Sequence, residues 1–206
     1  GDTVVTYRDL DERSTCVALN LLDLGFEPLD RVVVCLPNVA EFAYLYFAFQ
    51  KIGVIPIMAL PTHRYMEVTQ FVAIAQAKAC FVPAKARDYS FTDLVTRLRD
   101  EHDCLEMGIV LGPPQDGFMT VEELVEKESA ATQADIDAIK IDPEDPAVFQ
   151  LSGGTTGIPK LIPRTHNDYI CNTKLACAST ETGPDKVLLD ILPIGHNLPL
   201  ACPGMQ

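Results

Sequence analysis

Short apolar runs, separated by stretches patterned as helices, restrict what this chain can fold into more than any other feature. Arg31-Val-Val-Val-Cys-Leu36 reads as a buried strand closed by Pro37, and Val54 to Leu60, Cys80 to Pro83 and Gly108 to Leu111 repeat that reading. Between them the spacing changes. Thr6 and Asp9 make a capping-box start for a helix whose Leu10, Ser14, Val17, Leu21 and Leu24 share one face, with Gly25 at the C-terminal cap. Asn38 and Glu41 are expected to open the next helix, and further helices are predicted from about Arg64 to Lys78 and from Phe91 to Asp100. Parallel strands need crossovers, so this rhythm predicts an α/β fold, a mostly parallel sheet with helices on both faces, over a sandwich or a bundle.

Composition narrows the partners. Sixteen Lys plus Arg against 29 Asp plus Glu leave a net charge of −13, which opposes nucleic acid or an anionic membrane as the main partner. A bound anion then needs locally placed donors or a metal ion. With 48% apolar and 22% charged residues, a disordered or collagen-like chain is excluded. The seven cysteines include no C-x-x-C pair, and no secretory signal precedes the first helix, so a reduced, cytoplasmic protein with a trimmed start is expected. Phe42 to Leu60 is apolar enough to suggest a membrane span, but Gln50, Lys51, Gly53 and Pro56 divide it into a helix and a strand.

From Gly112 to Asp145 the composition shifts to turn residues, an acidic helix at Glu122 to Glu128 and a stiff Asp142-Pro-Glu-Asp-Pro146 connection. It reads as surface padding or a seam. The expected organisation is a first α/β subdomain over 1–112, a connecting segment over 113–146, and a functional portion over 147–206.

That last portion holds the most specific pattern. Ala147 to Leu151 reads as a strand, runs into Ser152-Gly-Gly-Thr-Thr-Gly-Ile-Pro-Lys160, and is followed by a second short strand, Leu161 to Thr165. Gly153, Gly154 and Gly157 free the backbone to turn N–H groups toward an anion, Ser152, Thr155 and Thr156 add hydroxyl donors, and Lys160 adds a charge. This is not a Walker A loop, because Pro159 precedes the lysine and Leu161 follows it. The bland alternative is a glycine-rich hairpin.

The stretch Ser152 to Lys160 resembles the signature loop of the adenylate-forming superfamily, which activates carboxylic acids with ATP. Leu161-Ile-Pro-Arg-Thr-His-Asn-Asp-Tyr169, Leu192-Pro-Ile-Gly-His-Asn-Leu-Pro-Leu-Ala-Cys-Pro-Gly204, Asp30 to Asn38 and Met58 to Arg64 are similar to the stand-alone aryl-acid AMP ligases of siderophore pathways. The resemblance implies part of the large N-terminal domain of such an enzyme. It also implies ATP and Mg²⁺ as cofactors, an aryl acid as substrate, and an aryl carrier protein with a phosphopantetheine arm as acceptor.

Residue roles follow from the same resemblance. The loop residues and Lys160 would hold the β and γ phosphates, with Lys160 as an electrostatic clamp. His196 would border the acid and the α-phosphate, and Asn197 would bond the ortho hydroxyl of the ring. Cys202 stands where relatives using 2,3-dihydroxybenzoate are expected to carry serine, which favours salicylate; a thiol is a weak partner for a 3-hydroxyl. Taken alone, His196 also fits a satisfied, partly buried histidine, and Cys202 also fits a core filler. Val187 to Leu192 is expected to be a strand delivering His196 and Asn197 to the carboxyl end of the sheet. Metal ligands cannot be assigned from these residues.

Members of this class are more than twice as long, so residues 1–206 are expected to be a part of a longer enzyme that is inactive by itself. The alternatives are an acyl-CoA or benzoate-CoA ligase of the same superfamily and a non-catalytic half-domain that binds.

Overall fold

A computed structural model of the protein describes residues 4–152 and 159–206. In chain order the elements are α1 (Tyr7–Asp23), β1 (Arg31–Val34), α2 (Ala40–Ile52), β2 (Ile55–Met58), α3 (Tyr65–Ala75), β3 (Ala79–Pro83), β4 (Lys85–Ala86), β5 (Tyr89–Ser90) and α4 (Phe91–Glu101). Then come β6 (Met107–Leu111), β7 (Met119–Thr120), α5 (Val121–Glu126), α6 (Gln133–Ala138), β8 (Pro146–Leu151), β9 (Leu161–Thr165), α7 (His166–Ser179) and α8 (Asn197–Ala201).

One seven-stranded sheet runs in the order β7-β6-β3-β1-β2-β8-β9, parallel throughout except where β9 returns antiparallel to β8. This is the expected α/β architecture. Side chains on a strand alternate between faces, and β1 shows the consequence. Val32 and Val34 pack under α1 and α2 with Val17, Leu21, Phe42, Leu45 and Phe49, whereas Val33 and Cys35 pack under α3 and α4 with Phe71, Val72, Val95 and Leu98. Both faces of the strand are buried, which is why its sequence is continuously apolar rather than alternating.

The helix ends follow local chemistry. Thr6 and Asp9 form the expected capping box, Asp9 N donating to Thr6 Oγ1 at 3.1 Å and Thr6 N to Asp9 Oδ2 at 2.8 Å. Gly53 ends α2 in the left-handed conformation at φ 71°, letting the apolar stretch break into a helix and a strand, and no helix among the described residues is long and apolar enough to cross a membrane.

Several expectations are corrected. Asn38 does not cap α2, whose N-cap is Val39; its amide instead reaches residues 192–194. Helix α3 stops at Ala75 rather than Lys78, because Gln76 turns left-handed and Lys78 Nζ donates to Gly25 O and Asp30 Oδ2. The segment after Gly112 is more than padding. β7 extends the sheet beside β6, Val121 and Leu124 enter the core, and Asn20 Nδ2 donates to Leu124 O and Lys127 O at 3.1 and 2.9 Å. Because β2 pairs with β8, the sheet continues across the proposed seam. Val187 to Leu192 is not a strand. No sheet edge among the described residues pairs with it, and its apolar side chains stand out, Val187 at 97% and Leu189 at 80% exposure.

Candidate active site

Strands β8 and β9 form a hairpin with Leu151 opposite Leu161, which pins the two feet of the Gly/Thr loop. Ser152 N donates to Lys160 O and Lys160 N donates to Ser152 Oγ, both at 3.0 Å. Ser152 is half-buried and Lys160 exposed. Gly153, Gly154, Thr155, Thr156 and Gly157 lie outside the described residues. The hairpin and phosphate-loop readings share these feet, so the pairing favours neither.

His196 reaches the same end of the sheet by a different route. Gly195 is buried against the end of β2, where an added Cβ would lie 3.3 Å from Ala59 O and 3.6 Å from Leu60 Cδ2. Asn38, in the loop after β1, holds the approach: its Nδ2 donates to Leu192 O at 2.7 Å and its Oδ1 accepts from Ile194 N at 2.9 Å. The carboxyl ends of β1, β2 and β8 thus converge there. His196 itself is exposed and caps α8, its Nδ1 accepting from Leu198 N at 3.3 Å, so the neutral ring carries its proton on Nε2.

Ser152 and His196 share a cavity of about 220 Å³ with Met58, Leu60, His63 and Gln150. Asn197 and Cys202 come together one turn further on, Asn197 Nδ2 lying 3.5 Å from Cys202 Sγ. Cys202 lines a second, apolar cavity of about 370 Å³ with Leu189, Ile191 and Leu198. The sequence-derived residues therefore fall into two adjoining groups, Ser152 with His196 and Asn197 with Cys202, on either side of the start of α8. Lys160 lines neither cavity. Gly204, just beyond the end of α8, sits at φ 54°, where a Cβ would collide with the Pro199 carbonyl.

Four polar side chains around these groups were not assigned from sequence. His63 Nδ1 accepts from Leu60 N at 3.0 Å, and burial holds its ring below the ordinary histidine value. Gln150 is 6% exposed, and its Nε2 is buried without a hydrogen-bond partner. Tyr169 Oη meets Asn197 Oδ1 at 2.8 Å, and burial pushes its hydroxyl up to about 12, with the nearby Gln150 side chain drawing it back. Asn172 Nδ2 donates to Ala201 O at 2.7 Å and to Cys202 Sγ at 3.2 Å. Gln150 had a signal, a polar residue at an inward position of a buried strand, and Tyr169 stood within a stretch that carried the resemblance.

Among the described residues no group of three or more His, Cys, Asp or Glu is placed to hold a metal ion. A divalent cation arriving with a nucleotide needs no such cage, since Mg²⁺ is ordinarily held by phosphates, waters and one or two carboxylates.

Comparison with known proteins decides the relationship. The profile of the family described as AMP-binding enzyme matches residues 1–204. The chain belongs to the AMP-binding enzyme family. Within that family it is 39% identical, over its whole length and 35% of the relative, to the salicyl-AMP ligase / salicyl-S-ArCP synthetase of Mycobacterium tuberculosis. It is 37% identical to the 2,3-dihydroxybenzoate-AMP ligase of Bacillus subtilis, again over 100% of the chain and 36% of that protein. The apo structure of Mycobacterium smegmatis MbtA superposes with a TM-score of 0.89 at 38% identity, covering 99% of the chain and 37% of its own. This AMP-binding chain thus spans about a third of the length of the curated relatives it matches.

Proposed function

We propose that this chain carries the acid-facing and triphosphate-facing residues of an aryl-acid adenylating ligase, with salicylate the favoured acid and 2,3-dihydroxybenzoate next. The supporting observation is the convergence, at one end of the sheet, of the pinned feet of the Gly/Thr loop, His196 across a shared cavity, and the Asn197–Cys202 pair beside it. The salicylate- and dihydroxybenzoate-AMP ligases among its relatives support the same acid class.

In the reaction a carboxylate oxygen attacks the α-phosphorus of ATP, the bond from that phosphorus to the bridging oxygen breaks, and pyrophosphate leaves with its electron pair. The thiol of an aryl carrier protein's phosphopantetheine arm would then attack the carbonyl carbon of the adenylate, so that the aroyl–sulfur bond forms, the bond to the phosphate oxygen breaks and AMP leaves; the mycobacterial relative is named as a salicyl-S-ArCP synthetase. Ser152, Gly153, Gly154, Thr155, Thr156 and Gly157 would bind the leaving phosphates, with Lys160 placing a positive charge beside them in a chain of net charge −13. Mg²⁺, entering with the nucleotide, would supply further charge neutralisation. His196 offers its Nε2 proton to oxygens of the acid or the α-phosphate, and Asn197 and Cys202 face the ring.

The test is acid-dependent pyrophosphate exchange by the complete open reading frame containing this chain. Cys202→Ser is expected to raise use of 2,3-dihydroxybenzoate relative to salicylate by roughly tenfold, the worth of one added buried hydrogen bond. An unchanged preference would reject the contact, and absence of exchange with every aryl acid would reject the function.

A further inference from the structure

The hydrogen bonds behind Asn197 run in one direction. Tyr169 is buried at 1% exposure on α7, and its Oη lies 2.8 Å from Asn197 Oδ1. Because its phenol stays protonated through the neutral range, it has one proton to give and needs one acceptor. The neighbouring Gln150 Nε2 only donates, so it cannot take that proton, whereas Asn197 Oδ1 can. On the other side, Cys202 Sγ accepts from Asn172 Nδ2 at 3.2 Å and meets Asn197 Nδ2 at 3.5 Å. A flipped Asn197 amide would turn its NH₂ toward Tyr169 and leave the phenol proton without this acceptor. Tyr169 is thus the neighbour that holds the amide this way round.

We propose that Tyr169 is a positioning residue that locks Asn197 with its NH₂ toward the acid, so that the site selects benzoates bearing an ortho oxygen and rejects those bearing an ortho amino group. This rests on the reading that Asn197 faces the ortho substituent. A phenolic oxygen accepts from the NH₂. An aniline nitrogen, its lone pair delocalised into the ring, presents N–H donors, and two donors facing each other leave both unpaired.

The experiment measures kcat/KM for salicylate and anthranilate by pyrophosphate exchange in the full-length protein, for the wild type, Tyr169→Phe and Asn197→Asp. Phenylalanine keeps the ring packed beneath Arg164, whose guanidinium lies 5.3 Å from its centroid, and removes only the hydroxyl. It is expected to lower the salicylate-to-anthranilate ratio roughly tenfold, mainly through KM, with the melting temperature nearly retained. Asn197→Asp, which presents only acceptor oxygens, is expected to reverse the preference, and Tyr169→Leu, read by the same ratio, carries the positioning test if Tyr169→Phe does not fold. A ratio within about twofold of wild type in a folded Tyr169→Phe, or an unreversed preference in Asn197→Asp, overturns the proposal while salicylate turnover leaves the proposed function standing. A wild-type protein that uses neither acid overturns both.

Discussion

The centre of the sheet and the stretch after β9 are built on opposite terms. Strands β1, β2 and β3 are buried on both faces, and the rings of Phe49 and Phe81 meet edge to face 5.1 Å apart across the core. Helix α7, by contrast, buries only Tyr169, and the run from Val187 to Leu192 leaves its large apolar side chains in solvent. The first region is stable through its own packing. The second is anchored to it by Tyr169, Leu200 and Ala201, which enter the core, and by the Asn38 bonds to residues 192–194, while single hydrogen bonds from Tyr169 and Asn172 set α7 against α8.

The contrast breaks most visibly under truncation. Phe81→Ala should cost about 3–5 kcal/mol in denaturant unfolding, through lost burial and a residual cavity, whereas Leu189→Ala should stay within about 0.5 kcal/mol. Comparable losses would show that the two regions are not distinct. Asn20→Ala should come next, at about 1–3 kcal/mol, because it strips the carbonyls of Leu124 and Lys127 of a buried donor and loosens α5 from α1. Gly204→Ala should cost more than about 1 kcal/mol, but only in the second region, since both its φ and the Pro199 carbonyl forbid a Cβ. Hydrogen exchange should therefore quicken in α8 and leave β1 to β3 unchanged, and quickening in those strands would contradict the separation.

The smallest effect is a pH dependence at the junction. Burial lowers the folded His63 value below its ordinary 6.5, so the unfolded chain takes up a proton first as pH falls. The stability His63 contributes is complete above 6.5 and is lost as pH drops through the folded value. His63→Gln should flatten thermal stability between neutral and mildly acidic pH, and an unaltered slope would mean that other groups carry it.

Where local chemistry decided structure, the sequence was readable. The Thr6–Asp9 box, the glycine after α2 and the apolar strands each announced their element because a cap, a left-handed residue or a doubly buried strand leaves a residue-level trace. Asn38 misled because an asparagine before a helix usually caps it, and nothing local records that its partners lie more than 150 residues away. Val187 to Leu192 misled for a related reason: its composition suits a strand, but a strand exists only where an edge is offered. Ser152, His196, Asn197 and Cys202 stood out as residue types in a pattern. Tyr169 and Asn172 did not, because orienting a neighbouring amide or thiol has no spacing of its own.

The tie between Asn38 and residues 192–194 also orders events in time. Closing so long a span demands entropy that only an already formed platform can offset, so the acid-facing turn should be among the last parts to settle during folding. During synthesis the N-terminal strands emerge first, and the late-arriving histidine lands on a surface laid down well before it leaves the ribosome.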